Sequence, residues 1–243
     1  TLDFYWQIGN ENDYANSFWR VNSWAEFIKY YDYTADGILR AFEDRGFDSS
    51  KVIIGGLSFA NIRAGNGNVG YHIFLAHASP SATYNHPDAL ELNQAYADPR
   101  LNGKRSQRIE QLCAANAGKG TPLDFIDPHF YKSSKTTGDD MIWAKDEALA
   151  MDAVYFADLA VGTNESCPGW NPPPDNAADD SYLGNGYFET WTADVIRRRL
   201  NRAATDARYA IGEFTYTFWP WPPSNFGGLN GATMVLDIDA DGN

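Results

Sequence analysis

The chain has little cysteine, few basic residues and no long apolar run, and each shortage removes a class of protein. Two cysteines in 243 residues, Cys113 and Cys167, are too few for a disulfide framework. They leave either one disulfide or two free thiols, and no CxxC or Cys/His cluster suggests a zinc site. With 19 Lys and Arg against 32 Asp and Glu, the net charge of -13 repels a phosphate backbone or an anionic lipid surface. Nucleic acid is therefore not an expected partner. No apolar run reaches the roughly 18 residues that a membrane helix requires, so membrane insertion is not expected either.

Motifs for other enzyme classes are also missing. The sequence has no GxSxG elbow, no P-loop and no GxGxxG after a strand, and Gly65-Asn66-Gly67-Asn68 lacks the required spacing. There is no repeat with a period of about 20 to 50 residues and no long low-complexity tract. No signal peptide opens the chain, and its first residues, Leu2 to Ile8, already read as a buried strand. The expectation is a mature or truncated secreted protein with residues missing upstream.

Aromatic residues are plentiful. They make up 15% of the chain, with 8 Trp and 14 Tyr. Part of this is core, and the rest suits sugar rings, whose apolar faces pack on aromatic side chains while their hydroxyls seek carboxylates and amides. At 27.1 kDa and 44% hydrophobic, the chain can bury a substantial core. A sequon, Asn164-Glu165-Ser166, makes Asn164 a candidate glycosylation acceptor and would suit an extracellular setting, although such triplets also arise by chance.

The pattern of the chain is alternating α/β. After the opening strand and Gly9-Asn10-Glu11-Asn12-Asp13, a helix is expected from about Ser23 to Arg45, with Ser23 as its cap and Glu26 completing a capping box. Lys51 to Gly56 reads as a buried parallel strand. Residues 61 to 100 show little sustained period and read as a long loop with short helices. A helix from Lys104 to Ala117 precedes a strand at Leu123 to Tyr131, and a helical stretch from Asp146 to about Leu159 leads into a Pro/Asn/Asp-rich loop. A helix from Glu189 to Arg208 then precedes a fourth strand, Tyr209 to Phe214. Alternation of this kind implies a parallel sheet, closed as a barrel or open.

In such architectures reactive groups gather at the carboxyl ends of strands. Glu11, His129, Tyr131 and Glu213 all fall there. Two carboxyl groups suffice to hydrolyse a glycosidic bond, one protonating the leaving oxygen and the other serving the anomeric carbon. Trp219 and Trp221, set among Pro220, Pro222 and Pro223, make a rigid aromatic loop on which a sugar can stack; hydrophobic capping of the barrel would use the same residues. Asp237, Asp239 and Asp241 have the spacing that opens a calcium loop, although the closing glutamate is absent and an acidic surface turn explains them equally well.

Gly9-Asn10-Glu11-Asn12 after a strand resembles the acid/base signature of the clan A glycoside hydrolases, Ile211-Gly212-Glu213 resembles their nucleophile strand, and His129-x-Tyr131 matches a pair on an intervening strand. Within the clan the order of elements is most similar to family 39, the β-xylosidase and α-L-iduronidase type, over roughly residues 1 to 60 and 120 to 220. The resemblance implies a (β/α)₈ TIM barrel entered at strand four, with 1–226 as its catalytic portion and 227–243 as a C-terminal segment. It further implies Glu11 as acid/base, Glu213 as nucleophile, Asn10 on a sugar hydroxyl, and no cofactor or metal for catalysis. Other chains or missing segments of the protein would complete the barrel. The interval between the glutamates, 213 − 11 = 202 residues, is longer than the family pattern, so large insertions are expected. The alternative is a non-catalytic carbohydrate-binding or extracellular structural protein on the same scaffold.

Overall fold

The computed structural model describes residues 5–13, 23–92, 105–131, 137–163, 166–167 and 187–209. Strand β1 (Tyr5–Ile8) leads to helix α1 (Trp24–Glu43), which begins where Ser23, in an extended conformation, accepts the Glu26 backbone N–H at 3.3 Å. That bond satisfies one of the helix's otherwise orphaned donors. The buried positions of α1, including Phe27, Ile28, Tyr31, Ala35 and Leu39, recur every three or four residues and press one stripe onto the sheet. Strand β2 (Ile53–Gly56) then pairs in parallel with β1, from Tyr5 opposite Ile53 to Ile8 opposite Gly56. Gly56 is required there: its φ of 143° disfavours a side chain, and a Cβ would lie 2.6 Å from the Ile8 carbonyl oxygen.

Helices α2 (Gly65–Ala78), α3 (Pro87–Leu92) and α4 (Gln107–Ala115) precede strands β3 (Phe125–Ile126) and β4 (Phe130–Tyr131). Helix α5 (Thr137–Met151), strands β5 (Ala160–Val161) and β6 (Ser166–Cys167), and helix α6 (Tyr187–Ala203) complete the described elements. A four-stranded sheet runs in the order β1-β2-β3-β5 with every pairing parallel, and β4 pairs in parallel with β6. The chain is thus a mixed α/β protein built on a parallel sheet. Ile8, Ile54, Ile126 and Val161 from the strands meet Phe27 and Tyr31 of α1 and Tyr71 and Phe74 of α2 in one core, with the Tyr31 and Phe74 rings edge to face at 4.6 Å. Each such side chain contributes about 1.5–3 kcal/mol on burial.

Several local expectations are corrected. Within the expected loop of residues 61 to 100, the described part, 61–92, is chiefly helical, and α2 alone spans 14 residues. Its sequence shows no amphipathic period because it is buried on almost all sides, and Gly70 lies so close under Trp24 that a Cβ would come within 2.2 Å of that ring. Helix α5 starts nine residues earlier than the expected Asp146, at Thr137, and ends at Met151. The strand next to β3 is Ala160–Val161, which the sequence reading did not find. Tyr209, expected to open a strand, lies in a 3₁₀ turn, Ala207–Tyr209, and the remainder of that expected strand lies outside the described residues. Strand β1 is less buried than its composition suggested: among the described residues it is the edge of its sheet, and only Ile8 of its four side chains is buried.

Candidate active site

At the carboxyl ends of β1, β2 and β3 the chain places charged and polar side chains where water is largely excluded. After β1, Gly9 turns the chain at φ 89°, and Glu11 follows at φ 48°. That left-handed conformation strains a residue bearing a Cβ, by about 1–2 kcal/mol. The Glu11 N–H donates to the Ser58 carbonyl oxygen at 2.7 Å, which ties the turn to the loop after β2. Glu11 is 9% exposed, and its Oε1 lies 3.0 Å from Nδ1 of His129, which is itself buried. His129 arrives three residues after β3, and its N–H donates to the Phe59 carbonyl oxygen at 2.9 Å.

The loop after β2 receives two more carboxylates. Asp13 accepts the Ala60 N–H at 2.8 Å on one oxygen and the Asn61 N–H at 2.9 Å on the other. Burial pushes the Asp13 carboxyl above the usual range, while those two amides pull it partly back. Asp127, buried at the end of β3, accepts the Ser58 hydroxyl at 2.7 Å, and its own N–H donates to the Gly56 carbonyl oxygen. Asn12 is buried, and its Oδ1 finds no hydrogen-bond partner among the described residues. Thr163, two residues past β5, is buried at the same edge of the sheet.

Of the residues expected from sequence, the structure brings Glu11 and His129 into direct contact. Asn10 sits half-buried beside Glu11 in the same turn. Tyr131 lies in β4, its backbone opposite Cys167 of β6. Glu213, Trp219, Trp221, Asp237, Asp239, Asp241 and Asn164 lie outside the described residues. Cys113 is a free, half-buried thiol whose pKa burial raises, with Arg105 opposing. Among the described residues no group of three acidic, His or Cys side chains could hold a metal ion, and no helix is long and apolar enough to cross a membrane.

Sequence reasoning missed Asp13, Ser58 and Asp127. Their partners lie 47 to 69 positions away, so local spacing held no sign of them, although Asp13 and Asp127 each stand two residues from a residue that was singled out.

The arrangement can exchange a proton at a defined oxygen. An ionised Glu11 accepts Nδ1–H of His129, and a protonated Glu11 donates to the bare Nδ1 of the other tautomer, so one heavy-atom geometry serves both states. Comparison with protein-family models, with curated proteins and with solved structures finds no match to this chain.

Proposed function

We propose that the chain is the catalytic portion of a secreted, retaining glycoside hydrolase of (β/α)₈-barrel type, with Glu11 as acid/base and Glu213 as nucleophile. One observation carries the reading: a largely buried glutamate held against a histidine at the carboxyl edge of a parallel sheet. The backbone strain at Glu11 adds support, because such strain collects at functional sites.

In the first step the Glu11 carboxylic acid gives its proton to the glycosidic oxygen as that C–O bond breaks, and a Glu213 oxygen forms an ester bond to the anomeric carbon. In the second, Glu11 as carboxylate takes a proton from water, whose oxygen displaces Glu213 and restores the starting configuration. In both states Oε1 of Glu11 can accept Nδ1–H of His129, which leaves the other carboxyl oxygen to carry the proton that is given and regained. Asn10 would hold the hydroxyl beside the anomeric carbon, and Tyr131, Trp219 and Trp221 would contact the sugar. Asp237, Asp239 and Asp241 remain a proposal for a structural calcium.

The test is hydrolysis of a panel of aryl glycosides by the full chain and by E11Q. E11Q should lose about 10²–10⁴-fold in kcat/KM on substrates with poor leaving groups and far less on dinitrophenyl glycosides that need no acid, while its kcat, limited by the second step without its base, should recover with azide. The product should retain its configuration, with the two carboxyl groups about 5–5.5 Å apart. Inverted product, or a wild type that binds sugars without turnover, would sink this reading, and the second result would favour the carbohydrate-binding alternative.

A further inference from the structure

The loop after β2 binds both members of the Glu11–His129 pair through its backbone. Ser58 O takes the Glu11 N–H, and the next residue, Phe59 O, takes the His129 N–H. Two adjacent carbonyl groups therefore set the spacing of two residues that are 118 positions apart in the chain. The same loop is clamped on either side by a buried aspartate. Asp13, two residues after Glu11, holds the amides of Ala60 and Asn61 with separate oxygens, and Asp127, two residues before His129, holds the Ser58 hydroxyl.

We infer that Asp13 and the Ser58–Asp127 pair are positioning residues that lock the loop after β2 as a common template for Glu11 and His129. This inference rests on the proposed function for its consequence in catalysis, and on the geometry alone for the lock itself. Each aspartate fixes the segment that carries one member of the pair. Without the Asp13 clamp, the Glu11 N–H bond to Ser58 carries more of a turn that is strained at φ 48°. Without Ser58 Oγ, Asp127 loses the hydroxyl that ties its carboxylate to the loop after β2. Asp13→Asn is nearly isosteric but turns an N–H₂ group toward a backbone N–H, so it replaces an attraction with a repulsion. Ser58→Ala removes one oxygen from a buried site without adding bulk.

The experiment uses the full chain with ¹⁵N-labelled histidine, in which the Nδ1 signal of His129 is identified by its disappearance in H129Q and its response to E11Q. D13N and S58A are compared with wild type, with circular dichroism reporting retention of fold. The expected result is a shift of the His129 Nδ1 signal toward that of E11Q in both variants, while His72, His77 and His86 keep theirs. On any glycoside that wild type turns over, kcat should fall about tenfold to a hundredfold with KM nearly unchanged. An unshifted His129 signal in folded D13N and S58A overturns the inference, as does unchanged kcat where E11Q is inactive. Should D13N fail to fold, the milder S58A carries the same comparison. If wild type turns over no glycoside at all, the functional proposal fails, and the histidine signals still decide whether the template exists.

Discussion

Replacing Lys145 with methionine tests how the short strand β5 is held. Lys145 is 1% exposed, and its Nζ donates to the carbonyl oxygens of Phe156, Ala157 and Leu159 at 2.7, 2.8 and 2.6 Å. The last of these residues immediately precedes β5. Methionine keeps most of the apolar stem and removes all three donors. The Phe156 and Leu159 bonds are buried, and orphaning two such acceptors costs about 4 kcal/mol in mid-range, while the half-buried Ala157 oxygen can turn to water. Relief from holding an ammonium group out of water returns part of that loss. K145M should therefore be destabilised by about 2–3 kcal/mol, or about 5–10 °C in Tm for a chain of this size.

Urea unfolding followed by circular dichroism measures the loss, with an unchanged m-value expected, and amide exchange should quicken first around β5. Burial lowers the Lys145 pKa to about 8, so the folded protein releases this proton before the unfolded chain does. Wild-type stability relative to K145M should thus rise as pH climbs from about 8 toward the unfolded lysine value of about 10.4. A variant as stable as wild type at pH 7 would refute the reasoning, since it would mean that the three carbonyl groups do not need this donor.

Two further predictions concern stability. Exposed Ala117, at φ 54° just past α4, carries a Cβ in the left-handed region, so A117G should stabilise the fold by about 0.5–1 kcal/mol in thermal denaturation. Asp152 is pushed up by burial, but the Ser79 and Ser81 hydroxyls and the amides of Tyr155 and Val154 outweigh that and leave its pKa below the usual value. Its stabilisation is therefore present above the unfolded Asp pKa and lost on acidification: D152N should be weaker than wild type by about 1–2 kcal/mol at pH 7, with the gap closing below about pH 4 in acid titrations.

What could be read from sequence follows from which interactions are local. The β1-α1-β2 unit was legible because α1 keeps one apolar stripe, Ser23 announces its start, and β2 is a β-branched run stopped by glycines. Helix α2 was hidden because Gly67 and Gly70 serve close packing against Asn61 and Trp24, contacts that no pattern within residues 65 to 78 expresses. Strand β5 has only two residues and is defined by its ladder to β3 and by Lys145 behind it. The same division applies to the site. Glu11 and His129 were visible as polar residues ending apolar strands, whereas Asp13, Ser58 and Asp127 owe their roles to a loop that only the folded chain brings between them.

The left-handed backbone at Glu11 bears on how this chain can drift. Glutamate codons lie one base change from glycine codons, and glycine is the residue this conformation prefers. A lineage selected for folding alone would find that change open at the first opportunity and gain stability by it. Such a change would strip the His129 imidazole of the carboxylate that its Nδ1 meets at 3.0 Å, so what the backbone gains at residue 11 is lost at residue 129.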